Sequence, residues 1–349
     1  MGSPDPPLGR QDAQDDGQRT PVPRDAVRTS GVTIRVGLIG AGAVGARHAR
    51  TLAGFADVEL VGICDPEPPG AALAAELAVP AVPDLASLLR TRPDGVWLCV
   101  PPFAHGDLET TVVRAGVPFF VEKPLAADLV VARRVARAVA AAGLPTATGY
   151  HWRHLDTVAR ARDALSGARI RLVDARWWGS TPPPAWWRSQ ALSGGQVVEQ
   201  ATHVLDLLRV LAGEVEEVVG GAAPSSAEDR DVPDATAAVL RFGSGAVGTL
   251  STSCVLPALT AAGLDVVADS VTVALTETSL HLRTPEGAVS AEPRIDARRA
   301  VDRAFVDVLA GRPAAPGLVT VAEALRTHCL AWAVAEATGT GSAVPVEQG

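Results

Sequence analysis

The sequence predicts an α/β domain with a doubly wound parallel sheet over residues 32–149. An α+β domain with a large, mostly antiparallel open sheet follows over residues 150–349. Up to Gly149, short apolar runs alternate with helical segments, as in parallel strands joined by crossover helices. Beyond that point, strand-like runs follow one another through short Gly, Pro or charged turns, as antiparallel neighbours do. Length agrees, because 349 residues exceed one ordinary core and suit two domains of roughly 100–200 residues.

Residues 1–31 are rich in Pro, Asp, Arg, Gln and Gly and have neither an apolar signal core nor a twin arginine. They are expected to form a disordered leader with no part in the fold. Thr33–Ile39 is a β-branched apolar run ending at Gly40, as a buried parallel strand does. A helix is expected from Gly42 to Leu52, then a strand at Val58–Cys64 ending at Asp65. Pro66, Pro68, Pro69 and Gly70 break the chain before a helix at Ala71–Leu77. Gly95–Val100 is a buried strand stopped by Pro101 and Pro102. A helix at His105–Ala115, a strand at Val117–Val121 and an amphipathic helix at Asp128–Ala142 complete the first pattern. In the second domain a helix at Leu155–Leu165 precedes strands at Arg169–Trp178, Val215–Ala222, Ala235–Phe242, Ala246–Cys254, Leu264–Asp269, Ser270–Thr276 and Ser279–Arg283. Helices at Arg298–Leu309 and Val319–Ala337 close the chain, and no internal repeat is present.

Composition excludes several classes of function. A net charge of −8 repels phosphate backbones and anionic lipid, so neither nucleic acid nor a membrane is expected as a partner. No apolar stretch reaches the roughly 18–20 residues that span a bilayer. Cys64, Cys99, Cys254 and Cys329 are scattered, with no CxxC and no metal-ligand spacing, so no metal is expected and a reducing cytoplasm fits.

Gly40-Ala41-Gly42-Ala43-Val44-Gly45 is a GxGxxG that follows a strand and opens a helix. Asp65 ends the next strand about 20 residues on, which completes the fingerprint of a Rossmann dinucleotide-binding domain. Gly40 permits the tight turn, Gly42 lets the backbone approach a pyrophosphate, and Gly45 lets helix and strand pack closely. The helix N-terminus then offers free N–H groups to the phosphates. Asp65 would accept from the ribose hydroxyls and repel a 2′-phosphate, and residues 66–69 supply no Arg or Lys. NAD is therefore expected rather than NADP.

Lys123 follows Glu122 at the carboxyl end of the strand Val117–Val121, where open α/β sheets bind ligands. A lysine there can stabilise a developing alkoxide; the alternative is an ordinary solvated strand-end lysine. Gly194 and Gly195 open a further helix. At helical spacing Glu199 and His203 share one face, with Asp206 three residues on. An imidazole beside a carboxylate is a proton acceptor near neutral pH; the alternative is a core histidine capped by Glu199. Four of the seven tryptophans lie in the Pro-stiffened stretch Trp177–Arg188. Trp186 and Trp187 are expected to stack on a sugar or cyclitol ring, and the others to pack the domain interface.

Several motifs stand together in order and spacing: Gly40–Gly45 with His48, Pro101-Pro102 with His105, Glu122-Lys123-Pro124-Leu125, and Gly194-Gly195 leading to His203 and Asp206. They resemble the glucose–fructose oxidoreductase / inositol dehydrogenase / MocA family over nearly the whole chain from Arg35 to Val346. The resemblance implies an NAD-dependent oxidoreductase acting on a secondary alcohol or ketone of a sugar, inositol or related polyol. It makes Lys123 the family's lysine and His203 its general acid/base. Pro101, His105 and Glu122 then lie beside the cofactor, together with Ala43 and Val44. It also implies a homodimer or homotetramer formed through the C-terminal sheet. Two positions depart from the family pattern: Glu199 stands where an aspartate is usual, and His151 where Asn or Gln is usual. Arg153 is expected to hold a substrate hydroxyl or carboxylate, or else to form a structural ion pair. The same motifs would also serve reduction of an imine, an enone or another carbonyl in a biosynthetic pathway, or a non-catalytic NAD-sensing regulator.

Overall fold

The computed structural model describes residues 33–349 and Gly2, so the expected leader over 1–31 lies outside the described residues. The first sheet contains β1 (Ile34–Ile39), β2 (Val58–Cys64), β3 (Ala81–Val82), β4 (Gly95–Leu98), β5 (Phe119–Val121) and β6 (Thr146–Thr148). All its strands are parallel, in the order β3-β2-β1-β4-β5-β6, the doubly wound order of dinucleotide-binding domains. Its helices are α1 (Ala43–Ala53), α2 (Pro68–Glu76), α3 (Leu85–Arg90), α4 (Asp107–Arg114) and α5 (Leu129–Ala142). β3, α3 and β6 were not expected from the sequence, because each is too short to show a period. β6 carries two threonines. It is buried as the last strand because the C-terminal part of the chain covers it, with the Thr148 N–H donating to the Val319 carbonyl at 2.7 Å.

The second sheet has nine strands: β7 (Ile170–Trp178), β8 (Val215–Ala223), β9 (Ala235–Phe242), β10 (Val247–Ser253), β11 (Ala261–Ala268), β12 (Val271–Thr276), β13 (Leu280–Thr284), β14 (Gly287–Ala291) and β15 (Val344–Pro345). In the order β14-β13-β12-β11-β7-β10-β9-β8-β15 every neighbouring pair is antiparallel except β7 with β10. That one parallel pair arises because three helices, α7 (Gln190–Ser193), α8 (Gly195–Glu199) and α9 (Thr202–Ala212), and two strands intervene in sequence. α6 (Asp156–Leu165) and α9 cover one face, and residues such as Leu264, Val266 and Leu275 form the core there with Leu205 and Leu208. The strands alternate, so Leu172, Val219, Val239, Val247 and Val267 stand exposed on the other face.

The last two helices, α10 (Ala297–Leu309) and α11 (Val321–Thr340), return to the first domain. Val301, Phe305 and Val306 of α10 complete the core formed by Leu38, Trp97 and Phe120. The start of α11 (Val321, Ala324, Leu325) joins Leu98 and Val121, and its later turns (Leu330, Val334, Ala337) join the core of the second domain. Residues beyond 296 therefore tie the two sheets together. No described helix is long and apolar enough to cross a membrane.

Phe305 is fully buried, with its ring 5.2 Å from Trp97 and 6.3 Å from Phe120. Phe305→Ala should destabilise the protein by about 3–5 kcal/mol, measured by denaturant unfolding. The intrinsic fluorescence of Trp97, in the nucleotide domain, should report the same loss.

Candidate active site

The glycine loop between β1 and α1 has the geometry that its sequence demands. Gly40 sits at φ +88°, and a Cβ there would lie 2.4 Å from the Cys99 carbonyl oxygen. A Cβ at Gly45 would lie 1.8 Å from the Gly40 oxygen, so only glycine lets α1 pack against β1. At Gly42 a Cβ would meet nothing within 4 Å, which leaves space for a ligand to approach the backbone. α1 has no side-chain N-cap and no acidic residue in its first turn, so its first N–H groups remain available to phosphate oxygens. Asp65 Oδ2 accepts from the Ala41 N–H at 2.5 Å and Oδ1 from the Glu67 N–H at 2.8 Å. These contacts hold the carboxylate against the loop. The residues present fit a dinucleotide.

Glu122 is buried at the end of β5 within a chain of charges. His48 of α1 joins Glu122 Oε1 through Nε2 at 2.8 Å and Asp302 Oδ1 of α10 through Nδ1 at 2.6 Å. The Trp97 indole N–H donates to the same Asp302 oxygen at 2.9 Å. Burial alone would push the His48 pKa down, but Asp302 and Glu122 raise it to about 9. Burial would likewise push Glu122 up, but His48, Lys123 and Arg47 bring it down to about 2. The ring is therefore an imidazolium between two carboxylates. The free oxygen Glu122 Oε2 accepts from the Lys123 N–H at 3.0 Å, which fixes the start of the segment that presents Lys123. The Lys123–Pro124 peptide bond is cis.

The Lys123 ammonium donates to Glu199 Oε1 at 2.7 Å and to the Glu199 carbonyl oxygen at 2.6 Å. That carbonyl is free because the expected continuous helix is broken: α8 ends at Glu199 and α9 begins at Thr202. Glu199 and His203 therefore do not share a helix face, contrary to the expectation from spacing. Glu199 Oε2 accepts from the Trp187 indole N–H at 2.9 Å, so both of its carboxylate oxygens are engaged away from His203. Asp206 is also diverted. It receives both Arg153 Nε (2.7 Å) and Nη2 (2.6 Å).

Aromatic rings surround His203 instead of carboxylates. Trp152 and Trp177 stack on it at 5.8 and 6.0 Å, and Tyr150 and His151 meet it edge-on at 6.0 and 5.0 Å. Its Nδ1 is buried without a hydrogen-bond partner. Burial, and then the positive fields of Lys123, His151, Arg298 and Arg47, hold its pKa well below that of a free imidazole. At neutral pH the ring is uncharged and can accept a proton.

Other expectations change in detail. Arg153 also reaches Glu323 at 3.0 Å, so the structural ion pair, not a free guanidinium for substrate, describes it. Trp187 is fully buried with Val232 and Cys254 and has no face left for a ligand; it orients Glu199. Trp186 is half-buried and meets the exposed ring of Phe103 at 6.5 Å. Pro101 leads into the single turn Pro102–Ala104, and His105, just before α4, bonds Glu109 at 2.6 Å. Ala43 and Val44 are exposed at the start of α1. Sequence reasoning missed Trp152 and Trp177 as neighbours of His203, together with Asp302, Glu277 and Arg298. Trp177 lies in the tryptophan-rich stretch, but nothing in the sequence points any of these at His203 or His48; a strand, two turns and α10 deliver them from distant parts of the chain.

The charge chain sets a test. His48 titrates near 9 in the fold against 6.5 when free, so its contribution to stability is complete below 6.5 and is lost as pH rises through about 9. His48→Gln leaves two buried carboxylates without their cation and should cost about 3–5 kcal/mol at neutral pH. The gap in Tm between wild type and variant should narrow as pH climbs from 6.5 to about 9; a constant gap would show that the ring is not charged.

Comparison with known proteins places this geometry. A family model described as oxidoreductase family, NAD-binding Rossmann fold, matches residues 34–150, and the Gfo/Idh/MocA C-terminal domain model matches residues 159–281. A myo-inositol dehydrogenase of Streptomyces leeuwenhoekii is 31% identical over 334 residues, 89% of this chain and 99% of the relative. An inositol 2-dehydrogenase of Rhizobium meliloti is 29% identical over 239 residues, 64% of this chain and 69% of the relative. A levoglucosan dehydrogenase solved with NADH superposes with a TM-score of 0.82 over 90% of this chain and 100% of its own, at 19% identity; at that identity the likeness concerns the fold. The chain is an NAD-binding oxidoreductase and belongs to the Gfo/Idh/MocA family.

Proposed function

We propose that this protein oxidises a secondary alcohol of a sugar, inositol or related polyol, with NAD preferred over NADP. The observation that carries the proposal is His203, an uncharged, caged imidazole near the Lys123 ammonium at the carboxyl edge of the parallel sheet. Bound NAD supplies the hydride acceptor. His203 takes the hydroxyl proton, and Lys123 stabilises the negative charge that develops on the oxygen. Glu199 acts through Lys123, aiming its ammonium with both a carboxylate and a carbonyl oxygen. Trp186 and Phe103 offer apolar surface for the C–H face of a ring. The names of the two inositol dehydrogenase relatives support this substrate class.

Asp65 supports the cofactor preference, since a carboxylate held at the glycine loop repels a 2′-phosphate. The exposed apolar face of the nine-stranded sheet (Leu172, Val219, Val239, Val247) supports a homodimer or homotetramer formed there. Four buried free cysteines fit a cytoplasmic setting.

His203→Ala should lower kcat by about 10²–10⁴-fold and Lys123→Ala by about 10²–10³-fold, while calorimetry still detects NAD binding in both. Turnover is followed at the nicotinamide absorbance across a panel of sugars and cyclitols. Near wild-type turnover in both variants would remove the assigned roles. Asp65→Ala should weaken NAD binding and bring NAD and NADP affinities closer together; an unchanged preference counts against its role.

A further inference from the structure

His203 poses a problem that its neighbours solve only at one point. A proton accepted there must leave in every turnover, yet the ring is 7% exposed and enclosed. The indoles of Trp152 and Trp177 cannot carry a proton. The Tyr150 hydroxyl is tied to Thr202 Oγ1 at 2.8 Å, and burial pushes its pKa up. Lys123 is already a cation, and the oxygens of Glu199 and Asp206 are committed elsewhere. The remaining contact is His151, whose ring centre lies 5.0 Å from that of His203. His151 Nε2 meets Glu277 Oε1 at 3.2 Å, and the Glu277 side chain is 29% exposed, beside the half-exposed Arg298 guanidinium at 2.5 Å.

We propose that His151 and Glu277 form a proton relay that carries the hydroxyl proton from His203 to solvent. This rests on the polyol-oxidation reading above. The substrate O–H bond breaks and an N–H bond forms on His203, while the hydride goes to NAD. The proton then passes to the second ring nitrogen of His151, directly or across one water. As it arrives, the Nε2 proton of His151 moves to Glu277 Oε1, and the carboxylic acid so formed releases a proton to bulk water. The His151 imidazole, left protonated on its inner nitrogen, then flips and exchanges its proton to restore the Nε2–H tautomer before the next turnover. Neither end retains the charge. Burial and the fields of Lys123, Arg298 and Arg47 disfavour a charged His203, while the His151 hydrogen bond and the Arg298 charge hold Glu277 below the usual carboxylate range. The turn at His151–His154 that supplies His151 also supplies Trp152 to the cage, so the relay and the base are positioned by the same segment.

The test uses the full chain and whichever polyol it turns over. His151→Asn keeps a group able to hydrogen-bond Glu277 but cannot take up and release a proton. It should lower kcat by about 10²-fold in a buffer of low proton-carrying capacity, with KM changed by no more than roughly twofold. Added imidazole should restore much of the rate, and Glu277→Gln should show the same buffer dependence. Raised KM with kcat intact in His151→Asn, or a slow variant indifferent to added imidazole, would overturn the relay. The two readings separate through His203→Ala. If that variant is inactive while His151→Asn turns over normally, only the relay fails. If His203→Ala is itself unimpaired, the polyol mechanism and the relay fail together.

Discussion

Glu122 is a carboxylate buried at the end of a parallel strand, and it stays ionised there chiefly because His48 is held against it by a second buried carboxylate, Asp302, with Lys123 and Arg47 adding positive charge. An isolated buried charge costs far more than its hydrogen bonds return, so the three groups stand or fall together. They come from α1, from the end of β5 and from α10, with His48 and Asp302 separated by 254 residues. Gly149 belongs to this arrangement as well, since a Cβ there would sit 2.5 Å from Glu122 Oε1. The nucleotide-binding sheet is therefore complete only once the chain has passed through the second domain and returned. The same carboxylate, through Oε2, fixes the backbone that presents Lys123. The helix after the glycine loop, Lys123 and α10 share one electrostatic constraint.

The break between α8 and α9 follows from what Lys123 requires. An ammonium in a half-closed crevice needs acceptors, and it takes two from one residue by using the carbonyl of Glu199 as well as its carboxylate. A continuous helix would have paired that carbonyl with the N–H four residues on. Glu199 is thereby withdrawn from His203 and spanned between Lys123 and Trp187. The histidine, left with aromatic walls and nearby positive charge, becomes a neutral proton acceptor by desolvation and field, without help from an adjacent anion.

The legible parts of the fold were those with local signals. β1, the glycine loop, β2 and Asp65 form one continuous sentence of sequence, because turn, helix start and ribose carboxylate must follow each other closely. The strands from β7 to β13 were equally plain from alternation and turns, whereas β14, exposed along most of its length, and the two-residue β15 carried no such signal. β3 and β6, at two and three residues, are too short to carry a period, and tertiary cover alone makes them strands. At the site, Lys123 and His203 stood out in the sequence, but their partners differ from those that helical spacing suggested. Helical spacing proposed Glu199 for His203, whereas the structure gives Glu199 to a lysine 76 residues away. The tryptophan-rich stretch was half understood. Trp177 stacks on His203, Trp187 braces Glu199, Trp186 is half-buried beside Phe103, and Trp178 is exposed on the second sheet.

Arg153 sits at the centre of an ion-pair network beside His203. Its guanidinium grips Asp206 with two hydrogen bonds and reaches Glu323 of α11, while Thr327 donates to the same Asp206 at 2.9 Å. Arg209 adds Glu214, Glu323 and Thr327 to the network. These bonds clamp the turn at His151–His154 onto α9 and α11, and that turn carries the two rings, His151 and Trp152, that press on His203. A closely paired, partly buried network of this kind is rigid because moving any member leaves another charge unpaired. Asp206 lies three residues beyond His203 and serves it indirectly, by holding in place the segment that isolates the imidazole and that offers, in His151, a path outward.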